Sequence, residues 1–145
     1  MNILPMEKKH IADVARLEKE CFSEPWSEEG LSAELTKEEA HFFVCENDGI
    51  LAGYMGMHII LDECYVTNVA VFHSFRRKGI GEALVKHCIR KAADENCSFI
   101  SLEVRVSNAA AISLYEKLGF LAVGERKNFY SHPQENGLIM TKNLK

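Results

Sequence analysis

Apolar and polar positions along the 145-residue chain follow two periods, and the changes of period mark the elements. Residues 2–6 suit a short edge strand ending near Pro5. From Glu7 to Phe22, Ile11, Val14, Ala15 and Leu17 fall near a 3.6-residue repeat, which predicts a helix. Glu24-Pro25-Trp26-Ser27 breaks that repeat, and Ser27 is placed to cap a second helix over about 28–37. His41 to Glu46 and Ile50 to Ile60 read as strands joined through Asn47-Asp48-Gly49, a hairpin signal. Cys64 to Phe72 predicts a third strand. After it, Ile80, Ala83, Leu84, His87, Cys88 and Ala92 mark one face of a helix. Ser98 to Val106 alternates, with Ile100, Leu102, Val104 and Val106 on one face and Ser101, Glu103 and Arg105 on the other. Asn108 is placed to cap a helix running to Leu118 and stopping at Gly119, and two last strands, about 120–127 and 137–143, flank a polar loop. The order predicts one α+β domain over 1–145, with a mostly antiparallel sheet and a single strand–helix–strand crossover.

Composition narrows the function. Seventeen Lys and Arg against 21 Asp and Glu give a net charge of −4, so the chain lacks the broad positive field of a nucleic-acid binder. No apolar run approaches the ~18–20 residues of a membrane span. The N-terminus carries no secretory pattern, and a cytoplasmic protein is expected. Five widely spaced cysteines include no C-x-x-C pair and the histidines no H-x-x-x-H pair, so neither a disulfide framework nor a metal site is expected.

Candidate chemistry concentrates in Asn68-Val-Ala-Val-Phe-His-Ser-Phe-Arg-Arg-Lys-Gly-Ile-Gly-Glu82. A strand ends, a basic turn (Arg76, Arg77, Lys78) follows, and Gly79, Ile80, Gly81 and Glu82 open a helix. Free N–H groups and the positive dipole end there suit a phosphate, and the glycines let it approach the backbone. A P-loop needs Gly-Lys-Ser/Thr after the last glycine, where Glu82 and Ala83 stand. A dinucleotide fingerprint needs a third glycine at the position of Leu84. A solvated basic turn before an ordinary helix remains the plain alternative. The carboxylate of Glu82 must point away from any bound phosphate.

The pattern Arg76-x-x-Gly79-x-Gly81 after a strand resembles the acetyl-CoA motif of the GNAT (GCN5-related N-acetyltransferase) superfamily. The block Ser101-Leu-Glu-Val-Arg-Val-Ser-Asn-Ala-Ala-Ala-Ile-Ser-Leu-Tyr-Glu-Lys-Leu-Gly-Phe120 strongly resembles its RimI-type ribosomal-protein alanine N-acetyltransferases. Cys21-Phe-Ser-Glu-Pro-Trp-Ser27, Asn68-Val-Ala-Val71 and Arg126-Lys-Asn-Phe-Tyr130 extend the resemblance over essentially the whole chain. It implies a sheet whose central strands splay and hold acetyl-CoA, no metal, and a small-subunit ribosomal protein as acceptor. The acceptor amine would be the N-terminal alanine of protein eighteen in that series. A monomer or weak dimer is expected.

Transfer from a thioester requires a neutral amine, so a base must take a proton. Glu103, between buried-type Leu102 and Val104, is the candidate base, although its face of the strand also reads as merely solvated. The resemblance implies that Tyr115 protonates the leaving thiolate; its spacing from Ala111 and Ile112 equally suits core packing. Asn108 combines a cap with an implied contact to the pantetheine arm. Val69, Ala70 and Val71 would offer backbone groups to the cosubstrate, one N–H steadying the developing oxyanion. Trp26, with Glu20, Glu24 and Glu28 nearby, could form a wall for a basic tail, and Tyr130, on the far loop, could close over it. Position 129 is Phe where the family often has a hydroxylated aromatic. A lysine or small-amine acceptor and a non-catalytic acyl-CoA-binding module are the open alternatives.

Overall fold

The computed structural model describes residues 1–145. Its elements in chain order are β1 (Asn2–Pro5), a 3-10 turn (Lys8–His10), α1 (Ile11–Cys21), α2 (Glu28–Glu34), β2 (Ala40–Asn47), β3 (Ile50–Ile60) and β4 (Glu63–Val71). A second 3-10 turn (His73–Phe75) leads to α3 (Ile80–Asp94), β5 (Phe99–Arg105), α4 (Ala109–Lys117), β6 (Leu121–Tyr130) and β7 (Glu135–Asn143). The strands form one sheet in the order β1-β2-β3-β4-β5-β7-β6.

Local chemistry explains most boundaries. Asp48 and Gly49 both take positive φ, 53° and 78°, the backbone a two-residue hairpin requires. Ser27 Oγ accepts from the N–H of Gly30 and starts α2, which ends at Glu34, before the expected limit near 37. Gly119, at φ +96°, ends α4. The sheet is buried on both faces by helices. Phe43 and Cys45 of β2 join a cluster with Leu84, Cys88, Ile100, Leu102 and Tyr115, on the side of α3 and α4. Phe42 and Val44 join Val14, Leu17, Leu31 and Tyr54, on the side of α1 and α2. The final hairpin is longer than predicted. β6 extends to Tyr130 and β7 begins at Glu135, so Tyr130 ends a strand rather than standing on a loop. Irregularities at Ala122/Gly124 and Arg126/Tyr130 obscure the alternation from which β6 would be read.

Two features of β4 place the site. Met57 pairs with Val66 and Gly56 with Asn68, so Thr67 is an extra, bulged residue. A bulge raises the local twist and re-aims the strand. β4 and β5 run parallel and pair only at Glu63–Phe99, Cys64–Ile100 and Tyr65–Ser101. Past the bulge β4 stays on β3 to Val71 while β5 stays on β7 to Arg105, leaving a gap at the centre of the sheet.

Candidate active site

Phe72 N–H donates to Ala52 C=O at 2.9 Å, which fixes the alternation of β4 on β3. The main-chain groups of Ala70 therefore face its partner Tyr54, and those of Val69 and Val71 face the gap. The carbonyl of Val71 is already engaged by Arg76 Nε at 3.2 Å and by the Cys21 thiol at 3.5 Å. Arg76 thus turns back onto the strand end, its Nη2 also 3.5 Å from Cys21 Sγ, rather than standing with Arg77 and Lys78 around the helix start. Lys78 holds its ammonium 5.4 Å from the Phe75 ring centre.

Beyond Arg76, the N–H groups of Arg77, Lys78, Gly79, Ile80, Gly81 and Glu82 donate to no protein acceptor; the first helical bond is Ala83 N–H to Gly79 C=O at 3.0 Å. Gly79 is the N-cap of α3, at φ +75° and without a side-chain cap bond. A side chain there would meet nothing within 4 Å, so the left-handed backbone is what calls for glycine. Uncapped donors at the positive end of a helix suit an anion, which is the geometry that the cradle expected from the sequence requires. Glu82 does not spoil it. Its carboxylate is drawn off by Lys117 of α4 at 2.6 Å and Lys86 at 3.6 Å, and the Lys117 bond above all holds it below the usual carboxylate range.

A Cβ on Gly81 would lie 3.8 Å from Val71 Cγ2 and 3.9 Å from Leu114 Cδ2, in ordinary contact with the walls of the gap. A branched side chain would carry two further methyl groups past that contact. Gly81→Val is expected to weaken acetyl-CoA binding by about 1–3 kcal/mol, a typical overpacking cost. Calorimetric titration checks this, and unchanged affinity would remove Gly81 from the site.

Glu103 and Tyr115 stand on opposite faces of β5 and can act together only through the gap. Tyr115 projects from α4 into the cluster with Leu102 and Val104, 5.8 Å from Phe120 and 7% exposed. Burial first, and then Tyr130, push its phenol up to about 12, so it carries its proton throughout the physiological range. Glu103, in register with Ile139 of β7, has Oε1 3.1 Å from Arg126 Nε and Oε2 buried without a partner. Tyr130 lies beneath the Arg105 guanidinium at 4.6 Å. Burial and then the charge of Glu103 push its phenol up. Asn108 caps α4: its Oδ1 accepts from Ala111 N–H at 3.1 Å, leaving the amide donors for another partner.

The loop after α1 is more structural than expected. Trp26 is half-buried, 6.0 Å from Phe42. Glu20 accepts from His73 N–H at 2.8 Å, and Glu24 from the Ser131 hydroxyl at 2.9 Å. Ser23 also donates to Ser131 C=O at 3.3 Å, so this loop meets the β6–β7 turn and the two border one face of the gap. Glu28 sits in the first turn of α2, where the helix dipole favours it.

Glu18 carries no motif in the sequence. It is fully buried and accepts from Trp26 N–H (2.9 Å), the Tyr54 hydroxyl (2.6 Å) and Asn68 Nδ2 (3.1 Å). Burial raises its pKa above the usual carboxylate value. One carboxylate thereby ties the loop after α1 to β3 and to the strand bordering the gap. The available signal was its position: Ile11, Val14, Ala15 and Glu18 fall at i, i+3, i+4 and i+7 on one helix stripe.

The sheet is parted between β4 and β5, and a bare helix N-terminus stands beside the parting. The Acetyltransferase (GNAT) family model matches residues 11–120. The chain belongs to that family and is an acetyl-CoA-dependent N-acetyltransferase. It is 38% identical over 136 residues, 93% of this chain and 90% of the other, to a Bacillus subtilis (strain 168) protein provisionally named ribosomal protein bS18-alanine N-acetyltransferase. It superposes on the crystal structure of the ribosomal-protein-S18-alanine N-acetyltransferase from Escherichia coli with TM-score 0.91 and 32% identity, covering 99% of this chain and 94% of that one. A NatC complex solved with Gag peptide and CoA bound has TM-score 0.83 and 26% identity, with full coverage of both chains. The splayed α+β fold and the RimI-type resemblance read from the sequence are borne out.

Proposed function

We propose that the protein acetylates the N-terminal alanine of small-subunit ribosomal protein bS18. The observation that carries this reading is the near full-length similarity to proteins named for that reaction. The chemistry of the gap supports it. The parted strands and the bare N–H groups of residues 77–82 fit an elongated cosubstrate with a diphosphate, and bound there acetyl-CoA would supply a thioester. Val69 and Val71 would offer main-chain groups to the amide-rich arm, one N–H also steadying negative charge on the thioester oxygen, and Asn108 would offer its free amide donors. Ala70 would contribute through its place in β4, its own groups being spent on β3.

An α-amino group has a pKa of about 7.7–8.0 and arrives mostly as ammonium at neutral pH. Glu103 would accept its proton, directly or through one water, on Oε1, whose protein partner is the solvent-facing Arg126. Tyr115, still protonated, would return a proton to the departing sulfur. The amine would attack directly, because the thiols of Cys45, Cys64, Cys88 and Cys97 are buried and Cys21 is turned to Val71 and Arg76. Trp26 and Tyr130, on the two segments that border the gap, would receive the acceptor tail.

The test offers a peptide with the N-terminal sequence of bS18 beside internal-lysine peptides with blocked N-termini and small polyamines. The alanine peptide is expected to be acetylated with kcat/KM at least tenfold above the others. Preference for lysine or small amines would remove the bS18 reading.

A further inference from the structure

Glu103 does not stand open to an acceptor. Its Oε1 is covered by Arg126 Nε at 3.1 Å, and the arginine side chain is 59% exposed against 23% for the glutamate. The same guanidinium lies 5.4 Å from the Phe129 ring centre. Phe129 in turn occupies the space beside Gly137, where an added Cβ would meet the ring at 3.2 Å and Glu103 Oε2 at 3.3 Å. The carboxylate therefore has one oxygen under a solvent-facing cation and the other held, unpartnered, beside a ring and a glycine.

An acceptor amine arrives as a cation; Oε2 is buried, so the oxygen it can reach is Oε1, which Arg126 now covers. We propose that Arg126 is a guard on Glu103, displaced by the acceptor's ammonium group, so that it sets the threshold for acceptor binding rather than the rate of transfer. The geometry makes the exchange easy. An ion pair with one partner largely in water contributes little, and the incoming ammonium replaces the charge that leaves, so Glu103 is never left uncompensated. Phe129 offers the displaced guanidinium a face on which to rest. Water and hydroxyl groups carry no charge with which to evict it, so the guard also favours transfer to amines over loss of the acyl group to solvent.

This inference rests on Glu103 being the carboxylate that meets the acceptor, and the experiment separates the two ideas. Steady-state kinetics with an alanine-initiated peptide would compare wild type, Arg126→Met, Arg126→Lys and Glu103→Gln. Arg126→Met keeps the length of the arm and loses its charge; its peptide KM is expected to fall roughly two- to fivefold, the range of a weak ion pair, without loss of rate at saturation. The acetyl-CoA KM should not move, and Arg126→Lys should keep the wild-type peptide KM. Methylguanidinium should compete with peptide in Arg126→Met beyond a matched sodium chloride control. A peptide KM unchanged or raised, or a saturated rate reduced tenfold, would overturn the guard and make Arg126 a residue that orients Glu103. Wild-type turnover in Glu103→Gln would instead overturn the assignment of Glu103 itself.

Discussion

Replacing Glu103 by Gln and Tyr115 by Phe together is expected to lower kcat by about 10²–10⁴-fold or more while leaving acetyl-CoA affinity nearly unchanged. General acid–base assistance typically contributes ~10²–10⁴-fold for each well-placed group. Gln keeps the shape of Glu103 and can still meet Arg126 through its carbonyl, but it cannot take a proton. Phe keeps the packing of Tyr115 against Phe120 and removes only the hydroxyl. Neither change touches the bare N–H groups of residues 77–82 or the parting of β4 from β5, so binding and turnover should separate cleanly. Isothermal titration with coenzyme and a coupled thiol-release assay measure the two. Equal turnover in the double variant would strip both residues of their roles; equal loss of binding and turnover would make them structural.

Glu18→Ala is expected to be the most destabilising single change described here, by about 3–5 kcal/mol. It leaves Trp26 N–H, Tyr54 Oη and Asn68 Nδ2 in the interior without their acceptor, and an unsatisfied buried group costs about 1–3 kcal/mol. Glu18→Gln should lose far less. The amide retains an acceptor oxygen, and Asn68 Oδ1, buried and unpartnered, can take the new N–H after an amide flip. The pair of variants also carries a pH signature. Burial raises the folded-state pKa of Glu18, so the folded state binds more protons than the unfolded one in that window. The stability contributed by the group is then present below about pH 4.5, the ordinary value, and lost as pH rises through the folded value. Urea denaturation between pH 4.5 and 8 should show wild type losing stability relative to Glu18→Gln as pH rises. Parallel curves would mean that the carboxylate is accommodated without cost.

What the sequence made legible was local. Asp48-Gly49, Ser27, Asn108 and Gly119 each act on backbone within a few residues, and each sits where its chemistry requires. The strand–turn–helix around Gly79 was readable for the same reason. The misses join distant parts of the chain. Arg76 is adjacent to Arg77 and Lys78, and only the fold shows it folded onto Val71 and Cys21. Arg126 lies on a strand whose irregular pairing hides which side chains share a face with Glu103. The bulge at Thr67 has no Gly or Pro on its own strand; its mark is across the ladder, where Gly56 sits at the register shift and a side chain would meet Thr67. Glu18 is a different case: its place on an apolar helix stripe was visible, but the three groups that make a buried carboxylate tolerable come from a loop and two strands.

The parallel seam between β4 and β5 has a mechanical consequence. With only three residues of each strand in register, the sheet is two leaves hydrogen-bonded by a short stitch at one end, with one apolar cluster running beneath both. Whatever fills the open end takes the place of the missing rungs, so occupancy and stiffness rise and fall together. The proposed acid–base pair comes from β5 and α4 and the proposed phosphate-holding turn follows β4, and an enzyme so built would reach working alignment when its cosubstrate splints the two.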